Sequence, residues 1–311
     1  MKKIKKILIL LFVAAFVWSI IPGLLLYLKK EPPSVANREV IDDLKKNEGE
    51  LFGFIIVGDS SSGIFITDSA FLKIIKHINL EGRWKKLPID FVANVGDVTF
   101  RGSPWDYKVY NKLSNEIKWP VINIVGNHDD DHEQGAAEFK RRFGEKEFSF
   151  VNRNSYFIAV NNINGDYSKE QFQWFEKELK KSQAYVNRFI LVHKQPVSSS
   201  YRHKYRPEVN PWSYQFMKLC EKYNVDIVFA GHEHYYNEQS FGGVTYITSG
   251  GGGMPLDVPR WEGGYLQYVV VRVNGDYVDY RVREVFPPFW RFFVVTMWQD
   301  IFYFIRDAFF R

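Results

Sequence analysis

Val121-Ile122-Asn123-Ile124-Val125-Gly126-Asn127-His128-Asp129 decides how the rest of the chain is read. An apolar β-rich run that stops abruptly in Gly-Asn-His-Asp predicts a buried strand delivering an amide, an imidazole and a carboxylate to its C-terminal edge, where α/β proteins place their chemistry. Gly-Asn is also ordinary turn composition, so the tetrapeptide gains meaning only if other strands end the same way. They do. Leu51 to Val57 runs into Gly58-Asp59-Ser60-Ser61-Ser62-Gly63, and Ile89 to Val95 runs into Gly96-Asp97. Arg188 to Val192 ends at His193, and Val225 to Ala230 ends at Gly231-His232-Glu233-His234.

Between these strands lie segments with helical apolar spacing. One covers Thr67 to Leu80 with Thr67 or Asp68 as N-cap, and others run from Trp105 to Ile117, through Phe139, from Ser168 to Lys181 and from Pro211 to Tyr223. Strand-helix-strand repetition predicts a largely parallel, helix-covered sheet. A hairpin is expected around Asn152-Arg153-Asn154, between strands near Phe148 to Val151 and Ser155 to Val160. Strands near Val244 to Thr248, Leu266 to Val273 and Tyr277 to Arg283 are spaced to complete a second sheet.

The strand ends thus offer Asp59, Asp97, Asn127, His193, His232 and His234 in one neighbourhood. Carboxylate, amide oxygen and imidazole suit Mn, Fe or Zn, and the donors suffice for two divalent ions. The single Cys220 rules out both a disulfide framework and a thiolate metal site, and it reads as a small buried apolar residue.

In this order the motifs Gly58-Asp59, Gly96-Asp97, Gly126-Asn127-His128-Asp129, His193 and Gly231-His232-Glu233-His234 resemble the calcineurin-like metallophosphoesterases, and within them the purple-acid-phosphatase-like branch. The resemblance covers about Leu51 to Glu284. It implies an α/β four-layer sandwich of two mixed β-sheets flanked by helices. It also implies that Asp97 bridges two metal ions about 3.5–4 Å apart. Asp59 and His234 would complete one ion's shell, and Asn127, His193 and His232 the other's. A metal-bound hydroxide would attack a phosphoester or pyrophosphate, with Asn127 and His128 contacting the substrate, His128 acting as catalytic imidazole and Asp129 orienting it.

Two positions depart from the family pattern. Ser61 stands where much of the family has His, and Phe100 stands where the purple branch has a metal-binding Tyr. One ion therefore loses a strong donor, and no purple colour is expected. A catalytically weak relative that binds phosphate ligands through an impaired first metal site is the alternative, and a scaffold whose membrane elements act is a third reading.

Outside the motifs, Ile7 to Leu28 carries no charge and is long enough for a bilayer core of about 30 Å. An uncleaved anchor is expected; a cleaved signal peptide ending at Ser34-Val35-Ala36 competes. Lys2, Lys3, Lys5 and Lys6 precede the span, favouring a cytoplasmic N-terminus and an extracytoplasmic catalytic domain. They also contribute to the formal charge of +5, which is therefore no nucleic-acid signal.

The predicted organisation is an anchor over 1–30, a juxtamembrane linker over 31–50 with a helical turn near Val40 to Leu44, the catalytic domain over 51–286 and an aromatic amphipathic helix over 287–311. Asp300 argues against a second span, leaving that last helix to lie in the membrane interface or to pack on the domain or a partner. If it is interfacial, a lipid-linked phosphoester becomes a substrate class beside soluble phosphorylated molecules. Ser249 to Gly253 reads as an active-site glycine loop or a plain turn. Arg202, His203, Lys204 and Arg206 read as an anion-facing or simply solvated loop, and His77 and His132 are given no role.

Overall fold

β1 (Leu51–Val57) buries every residue except Leu51, because it lies mid-sheet with a covered layer on each face. That is why its sequence is continuously apolar rather than alternating. The computed structural model describes residues 2–81, 87–130, 136–164, 167–196 and 211–301. β1 pairs in parallel with β2 (Ile89–Asn94), and β2 in parallel with β3 (Val121–Asn123). On its other side β1 pairs antiparallel with β10 (Gln267–Asn274), followed by β11 (Tyr277–Glu284). The second sheet has the order β4 (Phe148–Asn152), β5 (Ser155–Ala159), β6 (Asn187–Lys194), β7 (Ile227–Gly231), β9 (Val244–Ser249), β8 (Tyr236–Phe241). Its central strands β5, β6, β7 and β9 are parallel, with β4 and β8 antiparallel at the edges.

The two sheets face each other across an aromatic interior. Phe54 stacks on Phe91 at 5.3 Å and meets Phe157, Phe189 and Phe229 edge-on. All five are fully buried, and each such side chain contributes roughly 1.5–3 kcal/mol. The outer face of the first sheet is covered by α3 (Phe65–Ile78), α4 (Pro104–Ser114) and α5 (Ala137–Phe143). α6 (Lys169–Ser182) and α7 (Pro211–Lys222) cover the second sheet. The expected four-layer sandwich of two mixed sheets between helices is what forms.

Some local expectations are corrected. β8 was not anticipated: Tyr-Asn-Glu-Gln-Ser-Phe is polar because it is an edge strand, and Gly242-Gly243, at φ 58° and 79°, was the overlooked hairpin signal to β9. α3 begins at Phe65, so neither Thr67 nor Asp68 is its cap; Asp68 is instead buried and accepts from the Gly63 N–H. Residues 31–50 are no free linker. α2 (Asn37–Leu44) inserts Val40, Ile41 and Leu44 into the inter-sheet core, a helical stripe longer than the single expected turn. The Asn37 side chain exchanges both its hydrogen bonds with the Asn123 backbone, at 2.7 and 2.8 Å.

α1 (Lys2–Leu28) contains Lys6–Leu28, a helix long and apolar enough to cross a membrane. At the other end α8 (Phe289–Arg291) continues through a π-turn, Phe292–Thr296, and remains helical to residue 301. Phe289 and Phe293 pack on Phe12, and Trp290 stacks on Phe65, so the described part of this segment packs on α1 and the domain. The rest of the expected amphipathic helix, the basic loop of Arg202 to Arg206, and His132 lie outside the described residues.

Candidate metal centre

Five of the six predicted ligands sit just past the C-terminal end of a strand and His193 is the penultimate residue of β6, and three follow a glycine and adopt left-handed backbone. Asp59, Asp97 and His232 have φ of 61°, 50° and 69°, a conformation costing on the order of 1–2 kcal/mol for an L residue. It turns these side chains off the strand direction and toward one another. A Cβ on Gly126 would fall 2.2 Å from Asp97 Oδ1, so glycine there is required by close approach.

Asp97, His193 and His232 bring one ligand atom each to within 4.8 Å of one another. His193 Nε2 lies 3.2 Å from Asp97 Oδ1 and 3.1 Å from Asn127 Oδ1. Its Nδ1 is 3.0 Å from the Val95 carbonyl, which fixes Nδ1 as the protonated nitrogen and leaves the Nε2 lone pair facing two oxygens. Acceptors that converge with no donor among them repel unless a cation or a proton sits between them, and this is the chemical mark of a metal site. Burial opposes both charges. Even so, His193 holds Asp97 down at about 2 and the carboxylates raise His193 to about 9. Burial and the nearby His193 push His232 down to about 3, keeping it neutral and ligand-competent.

Asp59 and His234 form a second, looser pair, with Nε2 to Oδ1 at 3.7 Å. The His234 Nδ1 faces the Pro255 carbonyl at 3.0 Å, its backbone N–H donates to Asp257 at 2.9 Å, and burial lowers its basicity. Burial raises Asp59 well above the usual carboxylate range. Ser61, at the departure position, is buried here with φ 45°, its hydroxyl directed at the Asp97 carbonyl at 3.4 Å. All six predicted ligands therefore meet at one edge, four around one point and two beside it. The donor set fits divalent ions of the Mn, Fe or Zn type.

His128 stands at the same edge, its backbone N–H donating to Asp97 Oδ1 at 2.8 Å. Its ring is not oriented by Asp129. The Phe100 carbonyl accepts a hydrogen bond from Nδ1–H at 2.8 Å and the Phe100 ring stacks on the imidazole, which leaves Nε2 for a substrate. The Asp129 carboxylate points the other way and accepts from the N–H groups of Gly126, Val98 and Thr99 and from the Thr99 hydroxyl. It ties the second and third motif loops together, and burial lifts it to about 7.

Two further residues were missed from the sequence. Asn162 accepts from the N–H groups of His193 and Lys194, holding the end of β6, and Asp257 holds His234. Both sit in loops without strand-end context, and no local signal marked them. The glycine loop does belong to the site: the Gly252 N–H donates to the Gly58 carbonyl, and a Cβ there would fall 2.0 Å from that oxygen.

Residues 52–236 match the calcineurin-like phosphoesterase family. The chain belongs to that family. It is 27% identical over 180 residues to a probable cyclic nucleotide phosphodiesterase of Vesicomyosocius okutanii, covering 55% of this chain and 75% of that one. It is 29% identical over 174 residues to purple acid phosphatase 15 of Arabidopsis thaliana, covering 48% of this chain and 32% of that enzyme. Among solved structures, the yellow lupin purple acid phosphatase PPD1 superposes with TM-score 0.62 at 16% identity, covering 77% of this chain and 53% of that one. GAP50, the anchor in the inner membrane complex of Plasmodium, superposes at 0.57 with 13% identity, covering 76% and 89%. The chain thus spans about half of the lupin enzyme and about a third of the Arabidopsis one. Calcineurin-like phosphoesterases and purple acid phosphatases use binuclear metal centres, and this chain, a phosphoester hydrolase by family, carries candidate ligands for one.

Proposed function

We propose that the chain is a membrane-anchored phosphohydrolase that cleaves a phosphoester or pyrophosphate, lipid-linked substrates included. Asp97, Asn127, His193 and His232 would hold one ion, and Asp59 and His234, sharing Asp97, the other. When bound, the ions supply an activated water and neutralise charge on the phosphoryl group. The protein's own groups do the rest. The Val95 and Pro255 carbonyls fix the tautomers of His193 and His234, and the Phe100 carbonyl fixes His128 so that its Nε2 meets the phosphate or hands a proton to the leaving oxygen. Asn127 would contact the phosphoryl oxygens. The single observation that carries this reading is that His193 Nε2 lies 3.1–3.2 Å from the Asn127 and Asp97 oxygens, with His128 at the same edge.

The span Lys6–Leu28 supports anchoring, and the four preceding lysines support a cytoplasmic N-terminus with the catalytic domain outside. A second reading, a weak hydrolase that retains phosphate ligands, draws on Ser61, which leaves the Asp59–His234 pair without a third strong donor. The test is release of phosphate or alcohol from an aryl monoester and from a bis-aryl diester with added Mn²⁺, compared with chelator and with Asp97→Asn. Hydrolysis that needs metal and vanishes in the variant supports the hydrolase. Retained phosphate binding without turnover would instead favour the weak relative.

A further inference from the structure

The anchor helix is docked on the domain rather than tethered to it. A Cβ at Gly23 would meet Phe65 and Ser69 at 2.7 Å, and Leu26 is 2% exposed. The Tyr27 ring stacks on Trp105 while its hydroxyl bonds Asp68, and Lys112 Nζ donates to the Tyr27 carbonyl at 2.9 Å. Beyond the helix, Glu31 pairs with Arg142 at 2.6 Å and Asn37 with Asn123. The chain is therefore fixed continuously from Gly23 to α2.

The direction of this docking matters. Gly23 lies against the first turn of α3, immediately after the Asp59 loop, whereas Lys29 pairs with Glu116 beyond the far end of α4. α1 thus runs alongside α3 in the same sense, and its residues before Gly23 project past the strand ends that carry the metal ligands. Residues 6–22 make about 25 Å of helix, somewhat short of a hydrocarbon core of roughly 30 Å, and Phe12 within them packs on Phe289 and Phe293 of the segment that α8 opens. No spacer remains between the bilayer and the catalytic edge.

The surface of that edge agrees. Trp105 opens α4, Trp261 lies in the β9–β10 loop and Trp298 in the segment after α8, and they are 47%, 58% and 62% exposed. α8 itself is tied to this edge, because Arg291 donates to the Met254 carbonyl and the Met254 N–H meets the Asp59 carbonyl. At the opposite edge the exposed apolar residues among those described include Val35, Leu51, Leu80, Val186, Phe241 and Tyr277, and Trp119, just before β3, is part-buried. Indole rings prefer the membrane–water interface, where the ring is in contact with lipid and the N–H with water.

We propose that the catalytic edge rests on the bilayer surface, so that the phosphoester it meets is one carried by a membrane lipid at headgroup depth. This deepens the hydrolase reading and rests on it for the chemistry alone, since the orientation follows from packing. A soluble ester would have to enter sideways between protein and membrane.

The test uses the full chain in phosphatidylcholine vesicles containing phosphatidylglycerol. Nitroxide labels at Trp261→Cys, Trp298→Cys and, as control, Tyr277→Cys are compared for collision with oxygen and with a water-soluble nickel complex; Cys220 is buried and left in place. Interfacial depth at 261 and 298 with a wholly aqueous signal at 277 is expected. Aqueous signals at all three, or spin–spin broadening that reports a second copy on this edge, would overturn the proposal. In parallel, Mn²⁺-dependent phosphate release is measured from phosphatidic acid in the same vesicles and from soluble glycerol phosphate. Lipid turnover should fall by about tenfold or more in a Trp261→Ser, Trp298→Ser variant, with glycerol phosphate turnover within about twofold of wild type. Equal losses on both esters, or faster wild-type turnover of the soluble one, count against the proposal. If wild type hydrolyses neither ester, the chemical reading fails, and the labels still decide the orientation.

Discussion

His193 Nε2 lies 3.2 Å from Asp97 Oδ1, both side chains being almost wholly buried, and this contact needs either a proton or a metal ion between them. Without metal, the His193 imidazole is held at about 9 and Asp97 at about 2, so near neutrality the pair holds one proton. Metal entry at pH 7 should release about one proton, visible as a dependence of the binding enthalpy on buffer ionisation enthalpy. Affinity should rise with pH up to about 9 and flatten above it. In the metal-free protein the His193 contribution to stability is complete below 6.5, its ordinary value, and is lost as pH rises through about 9. The Asp97 contribution is complete above 3.8 and is lost as pH falls through about 2. No buffer dependence of the enthalpy at pH 7 would mean that the proton is elsewhere.

His128 has its Nδ1 committed to the Phe100 carbonyl and touches Asp97 only through its backbone. Replacing the ring should therefore leave the ligands in place. His128→Ala is expected to lower kcat by about 10²–10⁴, with metal content unchanged by mass spectrometry of the eluted ions. Loss of metal together with activity would place the ring in the ion's shell instead.

Asp129 is a strut, and its removal should read differently. Asp129→Asn keeps the shape but replaces one accepting oxygen with an amide that faces backbone N–H groups of Val98, Thr99 or Gly126. A buried donor left without a partner costs about 1–3 kcal/mol. We expect a lower denaturation midpoint, together with loss of kcat caused by displaced loops. If the variant keeps its stability and shifts only the pH profile of kcat, Asp129 acts on the His128 ring after all.

These contrasts mark where the sequence was legible. The strand ends announced themselves because a buried parallel strand is continuously apolar, so Gly58-Asp59, Gly96-Asp97 and Gly231-His232 appear as sudden polar stops. The roles of Phe100 and Asp129 were not legible. Which acceptor faces the His128 Nδ1 depends on how two loops from different strands are turned, and the acceptor Phe100 offers is a backbone carbonyl, which every residue has. α2 is illegible for a related reason: eight residues with polar neighbours resemble a linker until the groove that buries Val40, Ile41 and Leu44 exists. Asn162 and Asp257 are likewise defined by partners 31 and 23 residues away, whereas β8 had only its Gly242-Gly243 turn to β9 to mark it.

Ser61 offers the sharpest test of how the two halves of the site differ. On one side Asp97, Asn127, His193 and His232 can all face a single ion; on the other, Asp59 and His234 stand 3.7 Å apart, and Ser61, two residues after Asp59, turns its hydroxyl to the Asp97 carbonyl. A hydroxyl is a much weaker donor to Mn, Fe or Zn than an imidazole. Wild-type protein dialysed against trace metal should therefore keep close to one ion per chain and recover full activity only when metal is added in excess. Ser61→His supplies the missing nitrogen from a position already in left-handed backbone, at φ 45°, which His tolerates better than most residues. The variant should retain close to two ions and need about tenfold or more less added metal for half-maximal activity. Ser61→Ala should behave as wild type if the hydroxyl contributes nothing. Two tightly held ions in the wild type, or no gain in Ser61→His that folds with an unchanged denaturation midpoint, would show that another donor already closes the second site.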